Sequence, residues 1–164
     1  MPINALRNGP SINSLASPEG RNIGPNYAAR KIYGFPVRDP YQSENDYFKK
    51  NPNVGGMATE DNSIILNPHS QLTQEQKEAV AHNEAIRLFM RVNKIQPDFS
   101  ITPEQTRMFA GTDYASNPDA LKQTLLARFL TNDPSAGTQT FEQNVWANKL
   151  RQSLNGFPPN GGGR

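Results

Sequence analysis

At 164 residues the chain has room for one ordinary domain, but only 35% of it is hydrophobic and its mean hydropathy is −0.73, so one small core with much chain outside it is expected. A formal net charge of +2 from scattered basic residues lacks the dense cationic stripe of a nucleic-acid binder, and the 20% charged content is below that of a self-repelling disordered tail. The absence of cysteine excludes disulfides, thiolate metal sites and cysteine nucleophiles, and no apolar run approaches the roughly 18 residues of a membrane span.

Residues 1–57 show neither helical nor alternating periodicity. Pro and Gly recur from Pro2 to Gly56, and such punctuation forbids long regular elements. The first twenty residues contain no apolar leader segment. Tyr27, Tyr33, Phe35, Tyr41, Tyr47 and Phe48 are interleaved with the punctuation, which a solvated linker has little reason to carry. The segment therefore reads as a long irregular arm that lies on something, either its own domain or a neighbouring subunit, and these six aromatics are the candidate partner-binding residues.

Residues 58–156 read as a small helical domain. Ser63-Ile64-Ile65-Leu66-Asn67 is its one short strand candidate and requires a pairing partner. Thr73 and Gln76 form a capping-box pattern, followed by Ala81, Ala85, Leu88, Phe89 and Val92 on one helical face. Thr102-Pro103-Glu104-Gln105 repeats that start, and Gly111 stops the short helix. Asn117-Pro118-Asp119 opens a third helix with Leu121, Leu125, Leu126, Phe129 and Leu130. Thr140-Phe141-Glu142-Gln143 opens a fourth with Phe141, Val145, Trp146, Leu150 and Leu154 as its core spacing, closed by Gly156. The predicted fold class is mainly α, about four helices with one short strand and the irregular N-terminal arm. Residues 157–164 are too glycine-rich to hold structure alone and read as a tail.

Candidate chemistry is sparse. Ile64-Ile65-Leu66 leading into a helix with His82 and Glu84 resembles the core of the zinc-dependent peptidases over about one turn, but position 86 is Ile where the second histidine would stand, and Glu84 lies two residues after His82 instead of one. With His69 the only other histidine, a zinc site would have to borrow Glu60 or Asp61. The His-x-Glu pattern of the nucleobase deaminases lacks its two cysteines here. Carboxylate pairs for glycoside hydrolysis, such as Glu60 with Asp61 or Glu104 with Asp113, are what any chain with fifteen acids offers. The simpler reading places His82 and Glu84 on the solvated face of their helix, with Glu84 reaching Arg87, and Glu104 at a helix N-terminus that favours an anion. Gly55-Gly56 lacks the lysine and hydroxyl of a phosphate loop. No cofactor is implied, and an enzyme, if there is one, would use Glu60, Asp61, His82 and Glu84.

The stretch from Asn53 through Gly55-Gly56-Met57 and Ile64-Ile65-Leu66-Asn67-Pro68, continuing into the Thr73 helix and Asn83-Glu84-Ala85, resembles small uncharacterised proteins encoded by tailed bacteriophages among their structural genes. That resemblance implies a virion component made in a bacterial cytoplasm, binding other virion proteins or copies of itself. Taken with the aromatic arm, the reading is a non-enzymatic virion structural or accessory protein. The alternatives are a small cell-wall-degrading or zinc-peptidase-like hydrolase, and a small regulatory protein binding through Arg87 and Arg91.

Overall fold

A computed structural model describes residues 30–156, so Tyr27 and the 157–164 tail lie outside the described residues. The chain divides into two compact units, of which the first includes residues 30–85 and the second is Ile86–Gly156.

The first unit is built on a four-stranded sheet, and here the expectation of a mainly α chain with one strand and an irregular arm is corrected. Within residues 30–57 lie β1 (Lys31–Ile32), β2 (Phe35–Arg38), α1 (Gln42–Lys50) and β3 (Gly56–Ala58), and β4 (Ile64–Leu66) follows. The sheet order is β1-β2-β4-β3, with β1 and β3 antiparallel to their neighbours and β2 parallel to β4. The strand read from Ile64-Ile65-Leu66 thus finds its partners inside the chain on both sides. The physical reason for the difference is length: strands of two to four residues are too short to display an alternating period, and α1 carries only Tyr47 and Phe48 as apolar residues.

Local chemistry accounts for each connection. Tyr33 and Gly34 form a two-residue hairpin loop in which both residues have positive φ, 51° and 89°, the geometry whose twist matches paired strands. Asp39 and Pro40 stop β2, and Glu44 at the third position of α1 accepts the Tyr41 backbone N–H at 2.8 Å, which satisfies one free donor of the helix start. Phe48, Met57 and Ile65 form a buried cluster with Tyr47 and Val54 packed against it. Gly56 is a packing requirement: a Cβ there would stand 2.7 Å from the Ile65 carbonyl oxygen and 3.0 Å from Val80. Gly56→Ala is expected to lower stability by about 1–3 kcal/mol through that overlap, read as a lower urea midpoint with an unchanged slope.

The helix α2 (Gln74–Val92) begins in the first unit and ends in the second. Its start is the predicted box, with Gln76 N–H donating to Thr73 Oγ1 at 3.2 Å and Thr73 N–H donating to Gln76 Oε1 at 2.9 Å. Ala81, Ala85, Leu88 and Phe89 are buried as expected, but Val92 is 47% exposed, and Ile86 and Met90 take core positions in the second unit.

The second unit continues with α3 (Pro103–Met108), α4 (Pro118–Leu130) and α5 (Phe141–Leu154), joined by single 3₁₀ turns at Asp113–Ser116 and Pro134–Ala136. Its core comprises Phe99, Phe109, Leu121, Leu125, Leu126, Phe129, Ala147, Leu150 and Leu154 among others. One sequence assignment is corrected here. Phe141, placed in the core by its helical spacing, is 84% exposed, and Gln143, two residues on, is fully buried. Thr124 is also buried in α4, and among the described residues its hydroxyl has no hydrogen-bond partner. Thr124→Val keeps the shape and removes that desolvated group, so it is expected to raise stability by about 1 kcal/mol, measurable as an increase in Tm.

Candidate functional site

Two polar clusters stand out, one in each unit. In the first, Arg38 ends β2 with its side chain buried and both terminal nitrogens of its guanidinium hydrogen-bonded. Nη1 and Nη2 donate to Glu44 Oε1 and Oε2 at 2.8 and 3.0 Å in a fork-to-fork pair, and Nη1 also donates to the Asp39 carbonyl at 3.0 Å. The third member is Asp61, whose Oδ2 lies 3.4 Å from Arg38 Nε, and the Tyr41 ring covers the guanidinium with its centroid 3.8 Å from Cζ.

The turn that presents Asp61 is held by its two flanking residues, Thr59 and Ser63. Thr59 N–H donates to the Ser63 carbonyl at 2.9 Å, Ser63 N–H donates to Thr59 Oγ1 at 3.0 Å, and Asn62 adopts the left-handed conformation at φ 61°. The Thr59 hydroxyl also hydrogen-bonds the Asp61 carboxylate. Burial pushes the Asp61 carboxyl up, but the hydrogen bond from Thr59, the charge of Arg38 and the hydrogen bonds of Ser63 and Arg38 together hold it below the usual carboxylate range. Burial likewise works against the charge on Arg38, yet the hydrogen bond and attraction of Glu44, with Asp61 and Tyr41 adding to them, hold it above its ordinary value.

The sequence-predicted catalytic residues are held by different partners. Glu60 is exposed on the turn, while Asp61 is engaged as a counter-ion beside it. His82 is half-buried on α2, with Nδ1–H donating to the Glu78 carbonyl at 2.9 Å and its ring edge-on to Tyr33 at 6.1 Å between centroids. Glu84 is only 7% exposed, which corrects its placement on a solvated face. The reason is helical geometry: position 84 lies between 81, 85 and 88 on the face that packs. Among the described residues, no group of three or more His, Asp or Glu side chains lies close enough to hold a metal ion, and no helix is long and apolar enough to cross a membrane.

The candidate partner-binding aromatics within the described residues contribute to the first unit itself. Phe48 is core, Tyr47 packs beside it, Tyr41 lies over Arg38, Tyr33 meets His82, and Phe35 is half-buried in β2.

The second cluster joins two helix starts with the same chemistry. Ser100-Ile101-Thr102-Pro103-Glu104-Gln105 and Thr138-Gln139-Thr140-Phe141-Glu142-Gln143 share Ser/Thr, Thr, Glu and Gln at matching places. Each forms its own capping box, with Thr102 paired to Gln105 and Thr140 to Gln143. The two buried glutamine amides then bond each other reciprocally, Gln105 Nε2 to Gln143 Oε1 and Gln143 Nε2 to Gln105 Oε1, both at 2.9 Å. Each also grips the other motif's backbone. Glu104 accepts Thr138 N–H and Gln105 donates to the Thr138 carbonyl, while Glu142 accepts Ser100 N–H and Gln143 donates to the Ser100 carbonyl. Every donor and acceptor of both amides is thereby used, which is the condition under which a buried polar network stabilises. Glu104, offered with Asp113 as a carboxylate pair, is a clamp on the Thr138 backbone, and Asp113 is exposed at the start of a 3₁₀ turn.

Arg38 and Glu44 had no assigned role in the sequence reading, which took Gln105 and Gln143 only as helix-start residues. A signal for the pairing of Gln105 with Gln143 lies in the four matching places of positions 100–105 and 138–143, whereas the likeness between the Thr73 and Thr102 starts reflects only shared helix-start grammar. For Arg38 the weaker signal is Glu44 three residues after Tyr41, half of a capping box. Compared with known protein families, curated proteins and solved structures, the chain matches none.

Proposed function

We propose that the chain is a non-enzymatic virion structural or accessory protein that binds neighbouring subunits. The observation that carries this reading is Phe141, a large aromatic 84% exposed at the first position of α5, on a helix start fastened by the paired glutamine boxes. An aromatic held in solvent on an anchored helix start has the form of an interface anchor. The resemblance of residues 53–85 to phage structural-gene products supplies the setting, and residues 1–29, with Tyr27 and their Pro/Gly punctuation, supply further chain for contacts. The carboxylates and amides of the two clusters act inward, on Arg38 and on helix starts, in keeping with a scaffold.

The test is the composition of particles purified from infected cells. The full-length chain is expected at a fixed copy number per particle by quantitative mass spectrometry, and Phe141→Ser is expected to reduce incorporation at least tenfold while its circular dichroism and Tm stay unchanged, a loss of about 1.4 kcal/mol or more. A chain abundant in the cells but missing from particles overturns the reading, and full incorporation of the variant removes Phe141 as its anchor.

A further inference from the structure

We draw no further inference here: the strongest candidate, the exposed Phe141 beside half-buried Val145 on the outer face of α5, is an apolar patch on a rigid helix start, but nothing in the structure shows what covers it.

Discussion

Replacing Arg38 with methionine is expected to lower the unfolding free energy of the first unit by about 3–5 kcal/mol, because it strands the buried Glu44 carboxylate without its cation. The magnitude follows from an asymmetry. A buried ion pair adds little net stability over an apolar pair of the same volume, yet removing one member leaves a desolvated charge. The double variant Arg38→Met with Glu44→Leu is accordingly expected to recover most of the loss, and the coupling between the two sites is the quantity to measure. Arg38→Lys is expected to recover little, since an ammonium cannot make the two-pronged contact with Glu44 while lying against the Tyr41 ring as the guanidinium does. Hydrogen exchange of the β2 and β4 amides reads the effect locally, where a whole-chain melt would mix two units. Wild-type exchange rates at these amides in Arg38→Met would show that the cluster does not hold the sheet.

Asp61 adds a pH dependence to the same cluster. Its folded-state carboxyl is held below its ordinary value, so its contribution is fully present above about pH 3.9 and is lost as the pH falls below that through the folded value. Asp61→Asn is therefore expected to be less stable than the wild type at pH 6, with the difference shrinking progressively below pH 4. With a third of its side chain exposed, Asp61 is screened by water, and the effect is smaller than that of removing Arg38.

In the second unit, Gln143→Leu is expected to cost about 3 kcal/mol. It removes the partner of the Gln105 amide, of the Ser100 carbonyl and of the Thr140 N–H at once, and unmet buried groups cost roughly 1–3 kcal/mol each before relaxation. Gln105→Leu should cost a similar amount, and the double variant should cost less than the sum of the singles, because the second substitution removes a group already stranded by the first. Trp146, the one tryptophan of the chain, lies in this unit and allows its unfolding to be followed by fluorescence. Additive single effects would show that the two amides do not act as a pair.

Gln143→Glu sharpens the test. The introduced carboxylate would face the Ser100 carbonyl and Gln105 Oε1, both acceptors, where the native amide donates. Its proton would be retained in the fold, raising its value above the ordinary 4.3 or so, and the variant should gain stability as the pH falls through that raised value. The wild type gains no stability from this position on acidification, so the gap between the two pH profiles should narrow in acid, without closing, because a protonated carboxyl has one O–H where the amide donates twice.

Helix starts in the second half of the chain were legible because they are local chemistry. Thr73, Thr102, Asn117 and Thr140 each satisfy backbone donors within three residues, and the helices α2 to α5 begin where those residues stand. The strand at Ile64–Leu66 was legible as an apolar run between breakers. Its neighbours were not, since β1 and β3 pair across short turns with β2 and β4, β2 joins β4 through distant partners such as Val37 with Ile64, and a two- to four-residue strand carries no signal apart from its pairing. The irregularity read into residues 30–57 came from proline and glycine, of which Gly34, Pro40, Pro52 and Gly55 lie between short elements while Pro36 and Gly56 sit inside strands.

The inversion at the start of α5 shows the same division most clearly. Its composition marks the helix, and spacing alone assigns Phe141 to the core and leaves Gln143 as a cap. The fold places Phe141 in solvent and buries Gln143 completely. Helical periodicity specifies which residues share a face, but which face is covered depends on what packs there. An amide becomes a core residue once a second motif, 38 positions away in the chain, meets the hydrogen bonds that its own capping box leaves open. The same rule governs Arg38, an arginine that is buried because Glu44, Asp61 and Tyr41 converge on it from a helix and a turn that only the folded chain brings together.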